Sequence, residues 1–446
     1  MRELEARFPE ELVVVGVHSG KFIAERVTAN IRAAAARLAL AHPVVNDRQY
    51  RIWRSYAVNA WPTLVLVDPG GYVVGEHAGE VTAEQLAPAV ARVAEAARAA
   101  GTLDRTPPHF PPEPAPAGAL AFPQKLALDA GGTRLALADT GHDRILLLRL
   151  AAGGRAAELE AVVGAGKAGL ADGSFHVARF HRPHGLAFAG DRLFVADTEN
   201  HAVRQVDLAA GQVTTLAGNG TQAAWRAGGG VGGDVALNSP WDLLAHGGVL
   251  TVAMAGTHQL WRLDPANGRA EPWVGSGAEA LHDGPAADAA LAQPSGLAAA
   301  GVGVGAGAAA GAGARRLFFA DSESSAIRAA GPDGRVDTIV GTGLFDFGDR
   351  DGVGDAVRLQ HPLGLAWHEG ALLVADTYND AIKRVDPGTR AATTWLAGEV
   401  AAGGLWEPGG LAVGAGRVFI ADSNHHRIVS ADPAAGDVVE LAIRGL

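Results

Sequence analysis

The 446-residue chain contains no cysteine. This absence excludes disulfide bonds, thiolate-bound metals and thiol nucleophiles within the chain. A visible secretory signal is also missing, because the opening "MRELEARFPEE" is charged and lacks an apolar run. We therefore expect a cytoplasmic protein that performs no disulfide chemistry as given, and we expect no cofactor.

Positive charge is scarce in the larger part of the chain. Residues 1–105 hold twelve basic and twelve acidic residues, so the net charge of −11 belongs to the remainder. A surface that binds nucleic-acid phosphates needs the opposite sign, so we expect no nucleic-acid partner. The longest uncharged run, 289–314, is mainly alanine and glycine, which predicts a loop rather than a membrane span.

Glycine and proline are abundant and mark the organisation of the chain. Sixty glycines in a sequence that is 48% hydrophobic indicate many short strands joined by turns. Six prolines lie within "RTPPHFPPEPAPAG", residues 105–118, a segment that is stiff and extended. We therefore predict a first domain at 1–104, a linker at 105–118 and a second domain at 119–446.

The second domain consists of repeats, each a proline followed by "xGLA" and an apolar run that ends in "AD". The anchor prolines are Pro123, Pro183, Pro240, Pro294, Pro362 and Pro408. Each repeat holds four short apolar runs between turn signals, which predicts four strands per unit and a six-bladed β-propeller. The fourth repeat is longer, and we assign its excess to a low-complexity insertion, "GVGVGAGAAAGAG" at 301–313, in one hairpin loop.

A polar motif follows the second predicted strand, as in Asp197, Thr198, Asn200 and His201. Short polar side chains at a turn commonly bind the amides of that turn. A residue needed once in every blade indicates architecture rather than catalysis. The third repeat departs from the motif, with Met254 in place of the aspartate.

The six repeats resemble NHL repeats, whose pattern is P-x-G-L-A followed by V-A-D-T-x-N-H-x-I-R. The first domain predicts the order βαβαββα: strand 11–17, helix 24–41, strand 42–47, helix 48–58, a hairpin of 63–68 and 72–79, and helix 82–100 with Thr82 as its N-cap. Through "VNAWPTLVLVDPGGYVV" this domain resembles a thioredoxin-like fold of the redoxin type.

The thioredoxin resemblance implies a substrate groove at Trp61, Pro62 and Thr63, with Pro62 in the cis-proline position. An ordinary trans proline at a strand start is the alternative. The segment "MRELEARF" is similar to the end of the helix that follows the paired cysteines in that family. The resemblance therefore implies that the central strand and the cysteines lie upstream of Met1 or were lost, which leaves strands 11–17 and 63–68 with unpaired edges.

The two domains together resemble the NHL repeat-containing protein 2 family, with "VGVHSGKF" and "DGVGDAVRLQHPLGLAW" among the matching segments. The resemblance implies a thiol-disulfide oxidoreductase whose propeller presents the substrate. Two departures stand out: the cysteine segment is missing, and the chain stops at "VVELAIRGL", before the extra β domain of longer members.

The candidate binding site is the mouth of the propeller, just after the anchor prolines. The candidates there are Gln124, Lys125, His184, Trp241, Asp242, Ser295 and Leu363. Trp241 is the expected hot spot for a partner, with a wedged core tryptophan as the alternative. Asp349, Asp351 and Asp355 suggest a calcium site, but Asp-Gly pairs recur at this place in other repeats, so we predict a turn and no metal.

These observations favour an interaction protein that binds protein partners through the propeller face, without membrane association. The alternative is an enzyme that acts on a small molecule at the propeller mouth with a bound metal. One aspartate and one histidine among neutral groups are few ligands for such a site.

Overall fold

The computed structural model describes residues 1–79, 81–106, 110–114, 116–224, 228–300, 316–398, 403–434 and 436–446. The predicted insertion at 301–313 lies outside the described residues, as do 107–109 and 115 of the predicted linker. The chain forms two compact units, Met1–Pro116 and Ala117–Leu446. The division between them falls inside the proline-rich segment.

The first unit contains helices and two small sheets. Its elements are α1 (Arg2–Arg7), β1 (Gly16–His18), a 3₁₀ turn (Ala24–Arg26), α2 (Thr28–Arg37), β2 (Val44–Asn46), α3 (Arg51–Ser55), β3 (Thr63–Val67), β4 (Val73–Ala78) and α4 (Ala83–Ala100). The predicted order is present, but several elements are shorter. The predicted helix 24–41 is interrupted because Val27 is extended, and the predicted N-cap of α4 is confirmed as a capping box of Thr82 with Gln85.

The four strands of the first unit form two separate pairs. β1 lies parallel to β2, and β3 lies antiparallel to β4. Within the described part of the chain, no strand joins the two pairs. The predicted strand 11–17 is consequently short, and Val13, Val15 and Val17 are each more than two-fifths exposed. Both strand pairs therefore have open edges among the described residues, and these valines lie beside them.

The second unit is a six-bladed β-propeller of four-stranded antiparallel blades. In blades 1 to 3 the strands are Pro123–Leu128, Arg134–Asp139, Arg144–Leu150, Ala156–Val163; Pro183–Ala189, Arg192–Asp197, Ala202–Asp207, Gln212–Ala217; Pro240–His246, Val249–Met254, Gln259–Leu263 and Arg269–Val274. In blades 4 to 6 they are Pro294–Ala299, Leu317–Asp321, Ala326–Ala330, Val336–Val340; Gly364–His368, Ala371–Asp376, Ala381–Asp386, Ala391–Leu396; Pro408–Gly414, Arg417–Asp422, Arg427–Ala431 and Val438–Glu440.

The ring closes without exchanging any of these strands. The first strand of each blade lies against the first strand of the next, and blade 6 lies against blade 1. The C-terminal strand Ala442–Arg444 adds in parallel to the fourth strand of blade 1. In blades 2, 3 and 5 that outer position is taken by a two-residue strand from the preceding loop: Gly173–Ser174, Gly230–Val231 and Gly352–Val353. The C-terminus thus fastens the last repeat to the first.

The apolar core lies between neighbouring blades rather than in the ring centre. Six buried clusters correspond to the six junctions. At the junction of blades 2 and 3, for example, Phe194 and Trp261 share one cluster and are buried. Alternating strand residues therefore pack against one neighbour or the other, which is why a single repeat cannot bury its own apolar faces.

A 3₁₀ turn follows the second strand of every blade and carries the repeated polar motif: Thr140–His142, Thr198–Asn200, Ala255–Thr257, Ser322–Ser324, Thr377–Asn379 and Ser423–His425. A Ser or Thr hydroxyl in the turn donates to the carbonyl of the next blade's anchor proline at 2.6–2.8 Å. Blade 3 has Ala255 at this position and no hydroxyl to donate.

The residue after each 3₁₀ turn forms a second link between blades. It has a positive φ, and its side chain accepts the backbone N–H that precedes the next anchor proline. These acceptors are Asp143, His201, His258, Ser325, Asp380 and His426. The motif is therefore architectural. The sequence predicts that its side chains accept from the amides of their own turn, but these six side chains accept from amides at the start of the next blade.

The repeated aspartate fixes the start of its own blade. In five blades one carboxylate oxygen accepts, at 2.7 Å, the backbone N–H two residues before the anchor proline. In blade 3 the sulfur of Met254 takes this place, 3.4 Å from the amide nitrogen of Asn238. The departure seen in the sequence thus replaces a strong acceptor with a weak one without changing the architecture.

A histidine at the junction position makes that junction sensitive to acid. Nδ1 of His201 accepts the Ser239 N–H at 3.0 Å, which a protonated imidazole cannot do. Burial lowers the pKa of His201; of its two neighbours, Glu199 raises this pKa and His181 lowers it. A lowered pKa means that this histidine contributes stability above its ordinary value of 6.5, and that the contribution is lost as the pH falls below it.

We expect His201→Asp to flatten the fall in melting temperature between pH 6.5 and pH 5, because Asp143 and Asp380 do the same work in blades 1 and 5. Melting curves of the wild type and the variant across this range measure the effect. His176→Asp, on an exposed loop, is the matched control. Equal acid sensitivity of the wild type and His201→Asp would show that the junction histidine is not responsible.

Candidate functional site

The mouth of the propeller is built by the first two residues after each anchor proline. The second of these is glycine in blades 2, 4, 5 and 6 but Lys125 in blade 1 and Asp242 in blade 3. Neighbouring backbones approach closely there: a Cβ on Gly185 would lie 2.5 Å from the Cα of Asp242. Glycine is the repeat residue because the inner strands leave little space, so the two side chains at this position stand out.

Lys125 extends from blade 1 across the centre of the ring. Its Nζ lies 3.4 Å from Oδ2 of Asp242 in blade 3. The same ammonium group donates to the carbonyls of Leu363 in blade 5 and, at 3.4 Å, of Ser295 in blade 4. All three of its N–H groups therefore have an acceptor, and one side chain contacts three other blades.

Asp242 completes this central pair from the opposite side. Its Oδ1 accepts the N–H of Leu243 at 2.9 Å, and its Oδ2 accepts the N–H of Leu297 at 3.0 Å. Burial raises the pKa of the Asp242 carboxyl, and Lys125 opposes this rise; burial likewise lowers the pKa of Lys125 against the charge of Asp242. The pair is a buried, hydrogen-bonded ion pair, so neither group is available as a free acid or base.

The remaining predicted mouth residues fall into separate groups. His184 and Trp241 are in contact, with ring centroids 4.5 Å apart, and the indole is half-buried. The Ser295 hydroxyl shares a hydrogen bond with Ser322. Gln124 is buried beside Gly409 of blade 6. The structure thus joins His184 with Trp241 and Lys125 with Asp242, and it places Gln124 and Ser295 in the walls.

The predicted groove of the first unit, Trp61 to Thr63, is hydrogen-bonded to Ser19, which in turn donates to Asp47. The Trp61–Pro62 peptide bond is cis, as the thioredoxin resemblance implies, and Trp61 Nε1 donates to the Ser19 carbonyl at 2.8 Å. The Trp61 indole contacts Trp53, with ring centroids 4.5 Å apart, and is 48% exposed. The Thr63 hydroxyl donates to the Ala60 carbonyl at 2.7 Å. An exposed aromatic surface therefore adjoins the loop.

Asp47 anchors α3 beneath this loop. Burial would raise the pKa of Asp47, but N–H groups of Trp53, Ile52 and Arg51 and the Ser19 hydroxyl donate to it, and its pKa is lowered overall. The carboxylate is therefore a structural N-terminal acceptor of the helix rather than a proton-transfer group.

The acidic turn that contains Asp349 and Asp351, weighed above as a calcium site, pairs with a lysine instead. Oδ1 of Asp351 accepts from Lys383 at 3.0 Å, and Asp349 accepts from the same ammonium group. The corresponding Asp172 and Asp283 of blades 2 and 4 pair with Arg204 and Arg328. These ion pairs join the loop before the first strand of a blade to the third strand of the same blade. The sequence analysis did not predict them, although a basic residue lies seven positions after the repeated aspartate in each of these three repeats.

Two features of the described residues bear on the alternatives of a metal-dependent enzyme and of membrane association. Among them, no group of three or more His, Asp or Glu side chains could hold a metal ion. No helix in the described part of the chain is long and apolar enough to span a membrane.

Comparison with known proteins gives the class of the chain. The NHL repeat model matches residues 180–206 and 405–429, which lie in blades 2 and 6. The fold and these matches define an NHL-repeat β-propeller protein. It is a homologue of NHL repeat-containing protein 2: the cattle protein is 37% identical and the human protein 35% identical, each over 94% of this chain.

The relatives are longer than this chain. The chain spans 61% of the cattle and human proteins. An Arabidopsis thaliana relative, Protein SUPPRESSOR OF QUENCHING 1, chloroplastic, is 36% identical over 99% of this chain, which spans 44% of that protein. The name of this relative describes it as chloroplastic, and the cytoplasmic location expected for the present chain stays a prediction.

Proposed function

We propose that the propeller is an interaction module that binds a protein partner at its mouth, with Trp241 as the central contact. The observation that carries the proposal is the arrangement of the mouth: Lys125 and Asp242 neutralise each other, while the half-buried Trp241 lies beside them against His184. Because Lys125 and Asp242 are bonded to each other, they give the mouth a fixed surface rather than free reactive groups. A half-buried tryptophan on such a surface is typical of interface hot spots.

Acidic charge indicates the chemistry of the partner. The net charge of −11 lies outside residues 1–105, whose charges balance. Complementary charge steers association and selects partners. We therefore expect a protein partner with a basic or neutral contact surface rather than a nucleic acid, in keeping with the sequence prediction.

We expect Trp241→Ala to weaken partner binding at least tenfold, since truncating a hot-spot aromatic costs about 2 kcal/mol or more. Co-purification from the source cells with tagged wild type and variant identifies the partner, and titration of the purified partner measures the affinity. Val177→Ala, 59% exposed on the loop that enters blade 2, is the control. Equal affinity of all three proteins would place the binding surface elsewhere.

The first unit, in this proposal, is a thioredoxin-like domain from which the central strand is missing. Support comes from the two unjoined strand pairs, β1–β2 and β3–β4, and from the exposed valines beside them. A strand between β1 and β3 would pair both open edges. The longer protein would then carry the redox chemistry, which needs a thiolate that this chain does not contain.

Intact mass and N-terminal peptides of the native protein test this part of the proposal. A start upstream of Met1 with a Cys-x-x-Cys segment supports the redox function of the longer protein. A native chain that begins at Met1 contradicts it and leaves the propeller mouth as the functional surface.

The second candidate function is a metal-dependent enzyme at the propeller mouth. Its support is that Asp242 and His184 are the one aspartate and the one histidine among the predicted mouth residues. Elemental analysis of the purified protein decides between the two functions: a stoichiometric metal lost in Asp242→Ala favours the enzyme, and a metal-free protein that binds its partner rejects it.

A further inference from the structure

The centre of the propeller mouth has the oxygen lining of a cation site. Three oxygens from three blades converge on one point: Oδ2 of Asp242, the carbonyl of Ser295 and the carbonyl of Leu363. The group at that point is Nζ of Lys125, from a fourth blade, and its side chain is 5% exposed. We propose that this is a monovalent-cation site whose occupant is the protein's own ammonium group.

The repeat pattern shows which groups of the site are common to all blades and which are specific to blades 1 and 3. Four blades have glycine where Lys125 and Asp242 stand, so these are the two positions at which the inner strands depart from the repeat. One departure supplies a negative ligand and the other supplies the positive charge that balances it. The carbonyl ligands belong to the backbone of ordinary repeats and would be present with any side chain at position 125.

The charge of the lining selects the class of ion. One carboxylate and two carbonyls carry a single negative charge, which one positive charge neutralises. Carbonyl oxygens replace the hydration shell of potassium in proteins. Calcium takes six to eight oxygen ligands, typically from several carboxylates. Three oxygens that carry a single negative charge therefore suit a monovalent cation, potassium or a small alkylammonium ion, better than a divalent cation.

Covalent attachment of the occupant has a structural consequence. An ion bound from solution would leave the site as its concentration falls, whereas the Lys125 ammonium group cannot leave while blade 1 is folded. Through it, blade 1 is fastened to blades 3, 4 and 5 across the centre of the ring. The wild-type protein should accordingly show no dependence on the identity of the monovalent cation.

Lys125→Ala in the full chain tests the inference, because alanine removes the occupant and leaves the space. Melting temperatures are measured in potassium, methylammonium and choline chlorides at equal ionic strength. Choline carries the same charge but is too large for the site. We expect the variant to melt lower than wild type in choline, and to recover more than half of that loss in potassium or methylammonium.

Lys125→Met is the matched control, because it removes the same charge and fills the space. It should be destabilised equally in all three salts, and the wild type should be unaffected by the choice of salt. Equal melting of Lys125→Ala in the three salts would overturn the inference, as would equal rescue of Lys125→Met. If Lys125→Ala does not fold on expression, its refolding yield in the same salts is the readout, and equal yields contradict the site.

Discussion

Asp242→Asn is expected to lower the free energy of unfolding of the propeller by about 3–5 kcal/mol at pH 7, the usual result of removing one partner of a buried ion pair. Asparagine keeps one acceptor oxygen, enough for only one of the N–H groups of Leu243 and Leu297, and it leaves the Lys125 ammonium group buried without a counter-charge. Urea titrations followed by tryptophan fluorescence measure the loss.

The pH dependence of this loss identifies its cause. Burial already lowers the pKa of Lys125, and removal of Asp242 lowers it further, so the folded variant binds fewer protons than its unfolded state below the ordinary pKa of lysine. The stability of the variant therefore rises towards that of the wild type as the pH is raised from 7 towards 10. A loss that is constant with pH would mean that Lys125 is not left charged.

The control for Asp242→Asn is Asp355→Asn. Asp355 pairs with Arg390 at 2.7 Å, but its side chain is 77% exposed. An exposed ion pair contributes about 1 kcal/mol or less. Equal losses in the two variants would contradict the assignment of the Lys125–Asp242 pair as the central link of the ring.

Arg204→Met is expected to cost about 3–5 kcal/mol, the usual result of removing one partner of a buried ion pair. Lys383→Met, at the same position of another repeat, should cost less, because Lys383 is equally buried but its acceptors Asp349 and Asp351 are half-exposed and regain water. The fully buried Arg204 donates at 2.8 Å to Asp197, which is equally buried. The hydrogen bonds of Lys383 in the described structure go to the half-exposed Asp349 and Asp351 and to a threonine, rather than to the buried Asp376.

The response of Arg204→Met to mild acid identifies the cause of its loss. Burial raises the pKa of Asp197 to about 6 even with Arg204 beside it. Without Arg204 this pKa rises further, so the folded variant holds a proton that the unfolded chain releases, and stability is lost as the pH increases through that range. Arg204→Met should therefore regain stability between pH 7 and pH 5. Similar losses in both variants at pH 7 would contradict this account.

The propeller could be predicted from the sequence because its information is periodic. Each repeat carries the anchor proline, the alternating apolar strands and the polar turn, and six copies correct for one irregular member such as the repeat with Met254. The direction of the polar contacts could not be predicted in the same way. His201 and Ser239 lie in different repeats, and only the closed ring shows that the acceptor of one blade serves the next.

The sequence indicates which residues lie at the candidate site, but not which of them are in contact. Lys125 and Asp242 were both among the mouth candidates, yet a contact across a ring depends on the spatial order of blades 1 and 3, which a linear pattern does not contain. The usable signal was that these two residues replace the repeat glycine and have opposite charges. In the first unit the strand at 11–17 was predicted too long, because strand length depends on a pairing partner as well as on valine content.

Site-specific photo-crosslinking tests the central claim most directly. A photoreactive phenylalanine analogue is placed at position 241 in the mouth and, in a second protein, at the exposed position 177, and adducts formed in the source cells are identified by mass spectrometry. We predict one recurrent protein adduct from position 241 and its absence from position 177. The same adduct from both positions, or from position 177 alone, would contradict a partner-binding mouth.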